Sequence, residues 1–452
     1  MRRVLIANRS EIAVRVLRAC RELDLATVAV YSEADREALH VREADEAVMI
    51  GKAKARDSYL NGERIIAAAR ETGADAIHPG YGFISESAGF AAACEDAGIA
   101  FVGPPASAIA AMGDKAAARR LARDSGVPVV PGGEVTAGDE ALRVAEEIGF
   151  PLLVKAAAGG GGRGIRTVRD TEELPQALAE AAREAEAAFG DASLYVEKLV
   201  EGARHVEVQV MGDSEGRVVH LFERECSLQR RRQKLVEEAP SPALTPQTRA
   251  AMAAAAVRLA EGVGYTSAGT VEFLVDRDEL FYFIEMNTRL QVEHGVTEMV
   301  TGVDLVREQL LVAAGQPLEV AQEDVRVDGS AIEFRINAED PDNEFFPSPG
   351  TIEELELPGG PGVRVDTAIY AGYRVVPFYD SLIAKLMVWA PTREQALRRG
   401  RRALRELRIE GVKTTTPLHL RLVDDERVRS GDVHTGYLEE LLATGEGEGV
   451  AA

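Results

Sequence analysis

The sequence predicts a protein of mixed class, α/β in its first part and α+β in the remainder. Three observations carry this expectation. Short apolar strands alternate with amphipathic helices over the first hundred or so residues. A Gly-rich turn, Gly159–Gly164, lies between two strand-like runs, and strand patterns at 205–211, 218–226, 268–275 and 280–286 suit an antiparallel sheet. At 452 residues the chain is long enough for two or three separate cores.

In order, residues 3–9, 26–31, 75–78 and 99–103 read as strands, and 11–23, 62–72 and 86–97 as the helices between them. This alternation implies a parallel sheet covered by helices. The turn Asn8-Arg9-Ser10-Glu11 lacks a Gly-x-Gly-x-x-Gly fingerprint, so the doubly wound region carries no dinucleotide motif. A helix from Met112 to about Arg123 leads to Gly126-Val127-Pro128, and Gly132-Gly133 marks a boundary. Strands at 151–156, 165–168 and 194–198 then surround an Ala/Glu-rich helix at 172–188. After the antiparallel strands a helix from Val303 to Ala314 closes the middle region, and strands at 330–337 and 363–369 with a basic helix at 393–408 form the last part. The Gly/Glu tail at 444–452 is expected to be disordered.

Composition narrows the function classes. Hydrophobic residues make up 46% and charged residues 28%, and no apolar run approaches a membrane span. The apolar stretch after Arg2-Arg3 is too short for a signal-peptide core, so a cytoplasmic protein without a membrane partner is expected. A net charge of −22 argues against nucleic acid as a partner, because that needs clustered positive surface. Cys20, Cys94 and Cys226 are far apart and form no Cys-x-x-Cys pair, which excludes a disulfide framework and a structural zinc site. The chain has eight Lys against 44 Arg. That bias singles out positions where a compact ammonium differs from a planar guanidinium: Lys155, Lys198 and Lys234 fall in segments that look chemical, Lys115 is a further candidate, and Lys52 and Lys54 read as solvated loop residues.

The densest chemistry lies between Phe281 and His294, where Glu285, Asn287, Arg289, Gln291 and Glu293 occupy every second position. If the segment stays extended, all five share one face, with Met286, Thr288, Leu290 and Val292 on the other. The apolar approach Leu280–Ile284 implies that the ladder starts inside a buried sheet, where unpaired carboxylates are costly. Glu272, on a strand expected to pair with 280–286, can lie beside Glu285; with Asn287 these oxygens suit Mg²⁺ or Mn²⁺, or else pair with arginines as structural ion pairs. Lys155 and the glycines through Gly160, Gly161 and Gly162 resemble a hairpin over a polyphosphate, although a Gly tetrad can also be only a flexible turn. The edge Tyr195-Val-Glu197-Lys198 suits an adenine. The segment Glu223–Lys234, with near-adjacent cations at Arg230, Arg231, Arg232 and Lys234 and apolar flanks at 218–222 and 235–236, reads as a partly buried anion site, against the commoner solvated face.

Taken together these motifs resemble biotin carboxylase, the ATP-grasp component of biotin-dependent carboxylases such as acetyl-CoA carboxylase. The resemblance runs from Val4 to about Leu441 and rests on Ala7–Ile12, His78–Phe83, Met112–Lys115, the Gly loop, Arg204–Glu207, Gln229–Pro240, the ladder, Arg335–Asp340 and Tyr379–Ser381. It implies an ATP-grasp fold with a Rossmann-like N-terminal domain at 1–111, an ATP-grasp domain at 112–325 with a mobile Gly-rich lid at about 131–200, and a C-terminal biotin carboxylase domain at 326–443. It also implies a reaction in which ATP activates bicarbonate as carboxyphosphate and biotin N1 is carboxylated.

By the same resemblance Lys115, Lys155 and His205 would contact ATP phosphates, and Glu197, Lys198 and Val200 would frame the adenine. Gln229 and Arg232 complete the implied nucleotide set, Arg232 standing where some members have His. Glu272, Glu285 and Asn287 would hold two Mg²⁺ or Mn²⁺ ions. Lys234, Arg289, Gln291 and the Val292 backbone would hold bicarbonate, with Glu293 as its base. Arg335 would stabilise the biotin enolate, with Tyr81 beside the ureido ring. Arg15, Arg18, Glu22 and Arg364 match a homodimer interface in which Pro361 replaces an aromatic residue. Ser10 and Gly295 stand where the family has Gly and Pro. No Met-Lys-Met biotinylation motif occurs, so biotin would arrive as a substrate on a separate biotin carboxyl carrier protein, with carboxyltransferase subunits as further partners. Two other readings are a carbamoyl-phosphate-forming ATP-grasp ligase, which gives no reason for Arg335 and Tyr81, and a non-catalytic assembly subunit.

Overall fold

The computed structural model describes residues 1–135, 138–156, 166–189 and 191–443. The expected phosphate contacts at Gly160, Gly161 and Gly162 and the expected disordered tail at 444–452 lie outside the described residues.

Apolar runs near the N-terminus build a five-stranded parallel sheet in the order Glu46–Gly51, Ala26–Ser32, Arg3–Ile6, Ala76–His78, Ala100–Phe101. Val4, Leu5 and Ile6 are all buried because helices cover both faces. The helix Gly62–Thr72 starts at Asn61, whose side chain accepts from Arg64 N, and stops at Gly73 with φ of 63°. Glu46–Gly51 is absent from the expected set; as an edge strand it leaves Met49 half exposed, so its sequence lacks the unbroken apolar run of its neighbours. Ser10 adopts φ of 60°, a left-handed geometry that costs a non-Gly residue about 1 kcal/mol.

The helix expected over 112–123 is two helices, Ala106–Gly113 and Lys115–Asp124, divided where the Asp114 carboxylate accepts from Ala117 N and caps the second. Beyond it, Gly132–Val135, Leu194–Lys198, Leu152–Ala156 and Arg166–Val168 form a small antiparallel sheet in that order. Gly132-Gly133 is the start of the first strand of this small sheet. A Cβ on Gly132 would come 2.5 Å from Val196 O, so glycine permits the close approach to Leu194–Lys198.

The largest element is an eight-stranded antiparallel sheet in the order Phe281–Asn287, Ser267–Val275, Arg204–Gly212, Val218–Arg230, Gln233–Ala239, Ser330–Asn337, Leu382–Ala390, Val363–Thr367. Gln233–Ala239 pairs directly with Ser330–Asn337, so one sheet holds strands from both sides of residues 325 and 326. Leu382–Ala390 is absent from the expected strands because Lys385 interrupts its apolar run, yet Lys385 is fully buried. Phe281–Asn287 is an edge strand and not an interior one: Leu280 is 56% exposed, and the outer edge is covered where Phe283 N donates to Pro128 O at 2.7 Å. No helix among the described residues is long and apolar enough to cross a membrane.

Candidate active site

Strand register assembles the site. Glu285 lies opposite Glu272, Glu272 opposite Glu207, and Glu207 opposite Arg224, a row that crosses the strands of one sheet face. Thr270 pairs with Asn287, whose Nδ2 donates to Glu272 Oε1 at 2.9 Å. The proposed neighbourhood of Glu272, Glu285 and Asn287 is thus present.

The extended ladder is not. The strand ends at Asn287, and the chain turns through 288–292 into the helix His294–Thr301, with Glu293 at its N-cap position. Alternation places only Glu285 and Asn287; Arg289, Gln291 and Glu293 reach the site because the turn folds back over the sheet. Gln291 Nε2 donates to Glu272 Oε1 at 3.1 Å, and Arg289 Nη2 donates to Asn287 Oδ1 at 3.0 Å. Arg289 Nε also lies 3.1 Å from Glu86 Oε2.

Lys234 is the hub. Its Nζ donates to Glu207 Oε2 at 2.5 Å, Glu293 Oε1 at 2.6 Å and Glu272 Oε1 at 3.2 Å. Burial works against this ammonium, but the carboxylates of Glu207, Glu272 and Glu293 hold its pKa well above the ordinary value. The fully buried Glu293 offers its second oxygen to Arg335 Nη2 at 2.9 Å. Burial pushes Glu293 up, and Lys234, Arg335 and Arg224 outweigh it and hold the carboxyl well below its usual range. Glu272 behaves alike: Lys234 and His205 overcome burial, and His205 Nε2 lies 2.9 Å from Glu272 Oε2. Glu285 is raised by burial and then by Glu272, with Lys115 and His205 only partly offsetting them.

The donor set fits a hard cation. Glu272 belongs both to the pair with Glu285 and to a trio with His205 and Glu207 whose ligand atoms all lie within 4.8 Å of one another. The exposed Lys115 lines one cleft with Glu86, Glu285 and Asn287.

On the small sheet Lys155 Nζ donates to Glu197 Oε1 at 2.7 Å, and Arg119 Nη1 to Glu197 Oε2 at 3.1 Å. Lys198 Nζ donates to the carbonyls of Phe150 and Gly149 at 2.7 and 3.2 Å, and Val200 follows just beyond the strand. Gln229 is buried opposite Lys234, but the three arginines of the expected partly buried anion site are not themselves buried. Arg231 and Arg232 are exposed at a hairpin turn with φ of 47° and 68°, and Arg230 stacks over Phe345 at 4.0 Å. Only Lys234 of that run faces the carboxylates. Tyr81 has a buried hydroxyl, and its ring centroid lies 5.9 Å from Lys385 Nζ.

Sequence reasoning missed Glu207, Arg224, Glu237 and Lys385 as site residues. Arg224 is fully buried and donates to Glu207, Gln209, Thr270 and Thr297. Lys385 Nζ donates to Val292 O at 2.8 Å and so ties down the turn that carries Gln291 and Glu293. The Arg224–Glu207 contact is a cross-strand register pair, and no local pattern announces register. Rarity of lysine was the available signal for Lys385.

Comparison with known proteins agrees with this architecture. Residues 1–109 match the family described as biotin carboxylase, N-terminal domain, 114–321 the carbamoyl-phosphate synthase L chain ATP binding domain, and 333–440 the biotin carboxylase C-terminal domain. The chain is 54% identical to biotin carboxylase 1 of Bacillus subtilis over 442 residues, 97% of this chain and 98% of that protein. It is 54% identical to the small subunit of 2-oxoglutarate carboxylase from Hydrogenobacter thermophilus over 441 residues, 97% of this chain and 93% of that protein. A crystal structure of the biotin carboxylase domain dimer of Hydrogenobacter thermophilus 2-oxoglutarate carboxylase, in complex with MgADP, ADP and bicarbonate, superposes with a TM-score of 0.91 at 52% identity, covering 100% of this chain and 99% of that one. The chain belongs to the biotin carboxylase family, ATP-grasp ligases that carboxylate biotin with ATP.

Proposed function

We propose that this protein catalyses the ATP- and bicarbonate-dependent carboxylation of biotin on a separate carrier protein, through carboxyphosphate, as the first half-reaction of an acetyl-CoA or other acyl-CoA carboxylase, and so serves fatty acid synthesis. The observation that carries the mechanism is Glu293 held between Lys234 and Arg335 at 2.6 and 2.9 Å. Bicarbonate needs positive donors and an adjacent base. Lys234, Arg289, Gln291 and the Val292 backbone supply the donors, and Glu293 is the base. A carboxylate clamped by two cations is a weak base; an anion that draws Lys234 to itself loosens the clamp and raises proton affinity where the proton is removed. Arg335, on the next strand, then faces the enolate form of biotin, with Tyr81 beside the ring.

In this reading Lys115, Lys155, His205 and the Gly160–Gly162 turn meet the ATP phosphates, while Glu197, Lys198, Val200 and Gln229 surround the base. Arg232, exposed at its turn, reaches the nucleotide only from the rim. Glu272, Glu285 and Asn287 hold two Mg²⁺ or Mn²⁺ ions, which would offset phosphate charge. The domain limits are 1–111, 112–325 and 326–443, and the protein works in the cytoplasm with a carrier and carboxyltransferase. Arg15, Arg18, Glu22, Glu298, Asp304 and Arg364 line one cleft, which supports a homodimer like that of the Hydrogenobacter relative.

Purified protein given ATP, Mg²⁺, bicarbonate and free biotin should form carboxybiotin, with ATP hydrolysis dependent on bicarbonate. Ammonia-dependent hydrolysis without any biotin effect would instead support the carbamoyl-phosphate reading. The similar identities to components of pyruvate and 2-oxoglutarate carboxylases, 52% and 54%, keep a keto-acid acceptor as a second reading. Capture of the biotinylated partner, followed by assays with acetyl-CoA, pyruvate and 2-oxoglutarate, separates the two.

A further inference from the structure

Behind Arg335 stand two carboxyls that the reading above leaves without a task. Glu237 and Glu333 are directly opposite in the pairing of Gln233–Ala239 with Ser330–Asn337, so both leave the sheet on one face. Both are fully buried. Glu237 Oε1 accepts from Arg335 Nε at 2.5 Å, whereas Glu237 Oε2 and both oxygens of Glu333 have no hydrogen-bond partner among the described residues. The seat of Glu333 is partly apolar: a Cβ on Gly295 would meet Met387 Sδ at 2.2 Å and Glu333 Oε2 at 3.6 Å, so carboxyl and thioether share the space under the helix His294–Thr301.

The charged groups facing the pair are Arg335 from the strand of Glu333, Lys385 from Leu382–Ala390, Lys234 from the strand of Glu237, and Glu293 at the head of the helix. Around Lys385 lie Glu11 and Asp366, and beyond them His294, Glu298 and Arg364. The nearest cations are already engaged: Arg335 donates to Glu293, and Lys385 donates to Val292 O and lies 3.4 Å from Glu11. Adjacent buried carboxyls with three unpartnered oxygens cannot both be ionised without a large desolvation cost.

We propose that Glu237 and Glu333 share one proton in the working enzyme and so form a positioning pair that sets where the Arg335 charge is directed. With one negative charge the pair engages Arg335 through Glu237 Oε1 alone, which Nε and Nη2 both reach at 2.5 Å, and Nη2 still donates to Glu293. With two charges it draws the guanidinium back toward itself, away from the cleft. Burial pushes Glu237 up to about 7 and Glu333 well above the usual carboxylate range, which agrees with a shared proton at neutral pH. The proposal rests on the biotin carboxylase reading only through the part given to Arg335.

The test has one arm independent of activity. Infrared spectra of the substrate-free full-length protein between about pH 6 and about pH 9 should show a protonated-carboxyl band that titrates away on the basic side and is missing or shifted in Glu333→Gln and Glu237→Gln. Absence of such a band, or the same band in both variants, overturns the proposal. In the second arm, Glu333→Gln, which cannot lose the proton, should move the basic limb of the kcat–pH profile for biotin carboxylation up by about one unit or more. An unchanged profile in a variant of wild-type Tm overturns it too. If Glu333→Gln does not fold, the wild-type titration and Glu237→Gln still decide, and failure to carboxylate biotin at all refutes the functional reading without touching the infrared result.

Discussion

Lys385 Nζ donates to the carbonyl of Val292 at 2.8 Å from a position with no exposure at all. A fully buried ammonium thus holds, by one backbone contact, the turn that presents Gln291 and Glu293. Removing it as Lys385→Met should leave Val292 O unpaired, at about 1–3 kcal/mol. The expected kinetic signature is a higher KM for bicarbonate with the KM for ATP near wild type, measured by initial rates. Equal rises in both constants would mean general damage in place of a displaced turn.

Glu293→Gln keeps the side-chain shape and removes the base. The rate of bicarbonate-dependent ATP hydrolysis should fall by about 10²- to 10⁴-fold, the range for loss of a general base. Steady-state assays at saturating bicarbonate check this, and near-normal turnover would remove Glu293 from the mechanism.

Arg224 touches no solvent and fixes Glu207, which in turn fixes Lys234. Arg224→Met leaves a buried carboxylate with one cation fewer, a loss of about 3–5 kcal/mol for a broken buried pair. A lowered urea midpoint with weaker bicarbonate saturation is the expected outcome, and unaltered stability would contradict the burial argument.

Glu11 gives a pH dependence of stability with a definite sign. Burial raises it from 4.5 to about 7, with Lys385 only partly compensating. Between those values the folded state holds a proton that the unfolded state has lost, so stability falls as pH rises through this window. Glu11→Gln has no proton to lose. Its Tm relative to wild type should therefore improve from about pH 5 to about pH 8, and a gap independent of pH would show that Glu11 titrates normally.

The elements with one clear periodicity were readable in advance. Arg3–Ile6, Ala26–Ser32 and Gly62–Thr72 lie close to where apolar pattern and capping residues place them. Glu272 beside Glu285 was also legible, since a short turn fixes which residues of a hairpin meet. The course of the chain after Asn287 was not, because alternating polarity reads the same in a strand and in a turn that folds over a sheet. Leu382–Ala390 went unrecognised for a related reason: Lys385 looks like a surface residue until a helix and a turn from distant parts of the chain supply Glu11 and Val292. Contacts of that range depend on register, which a single sequence does not carry.

The pairing of Gln233–Ala239 with Ser330–Asn337 has a mechanical meaning. Lys234 and Glu237 share a strand that the backbone ladder joins to the strand that bears Arg335, so the groups assigned to bicarbonate and to biotin ride on one stiff plate. Lys155 and Glu197 belong to another sheet. Any hinge between the sheets would move Lys155 and Glu197 relative to the plate, while the spacing between Lys234 and Arg335 stays as folding made it.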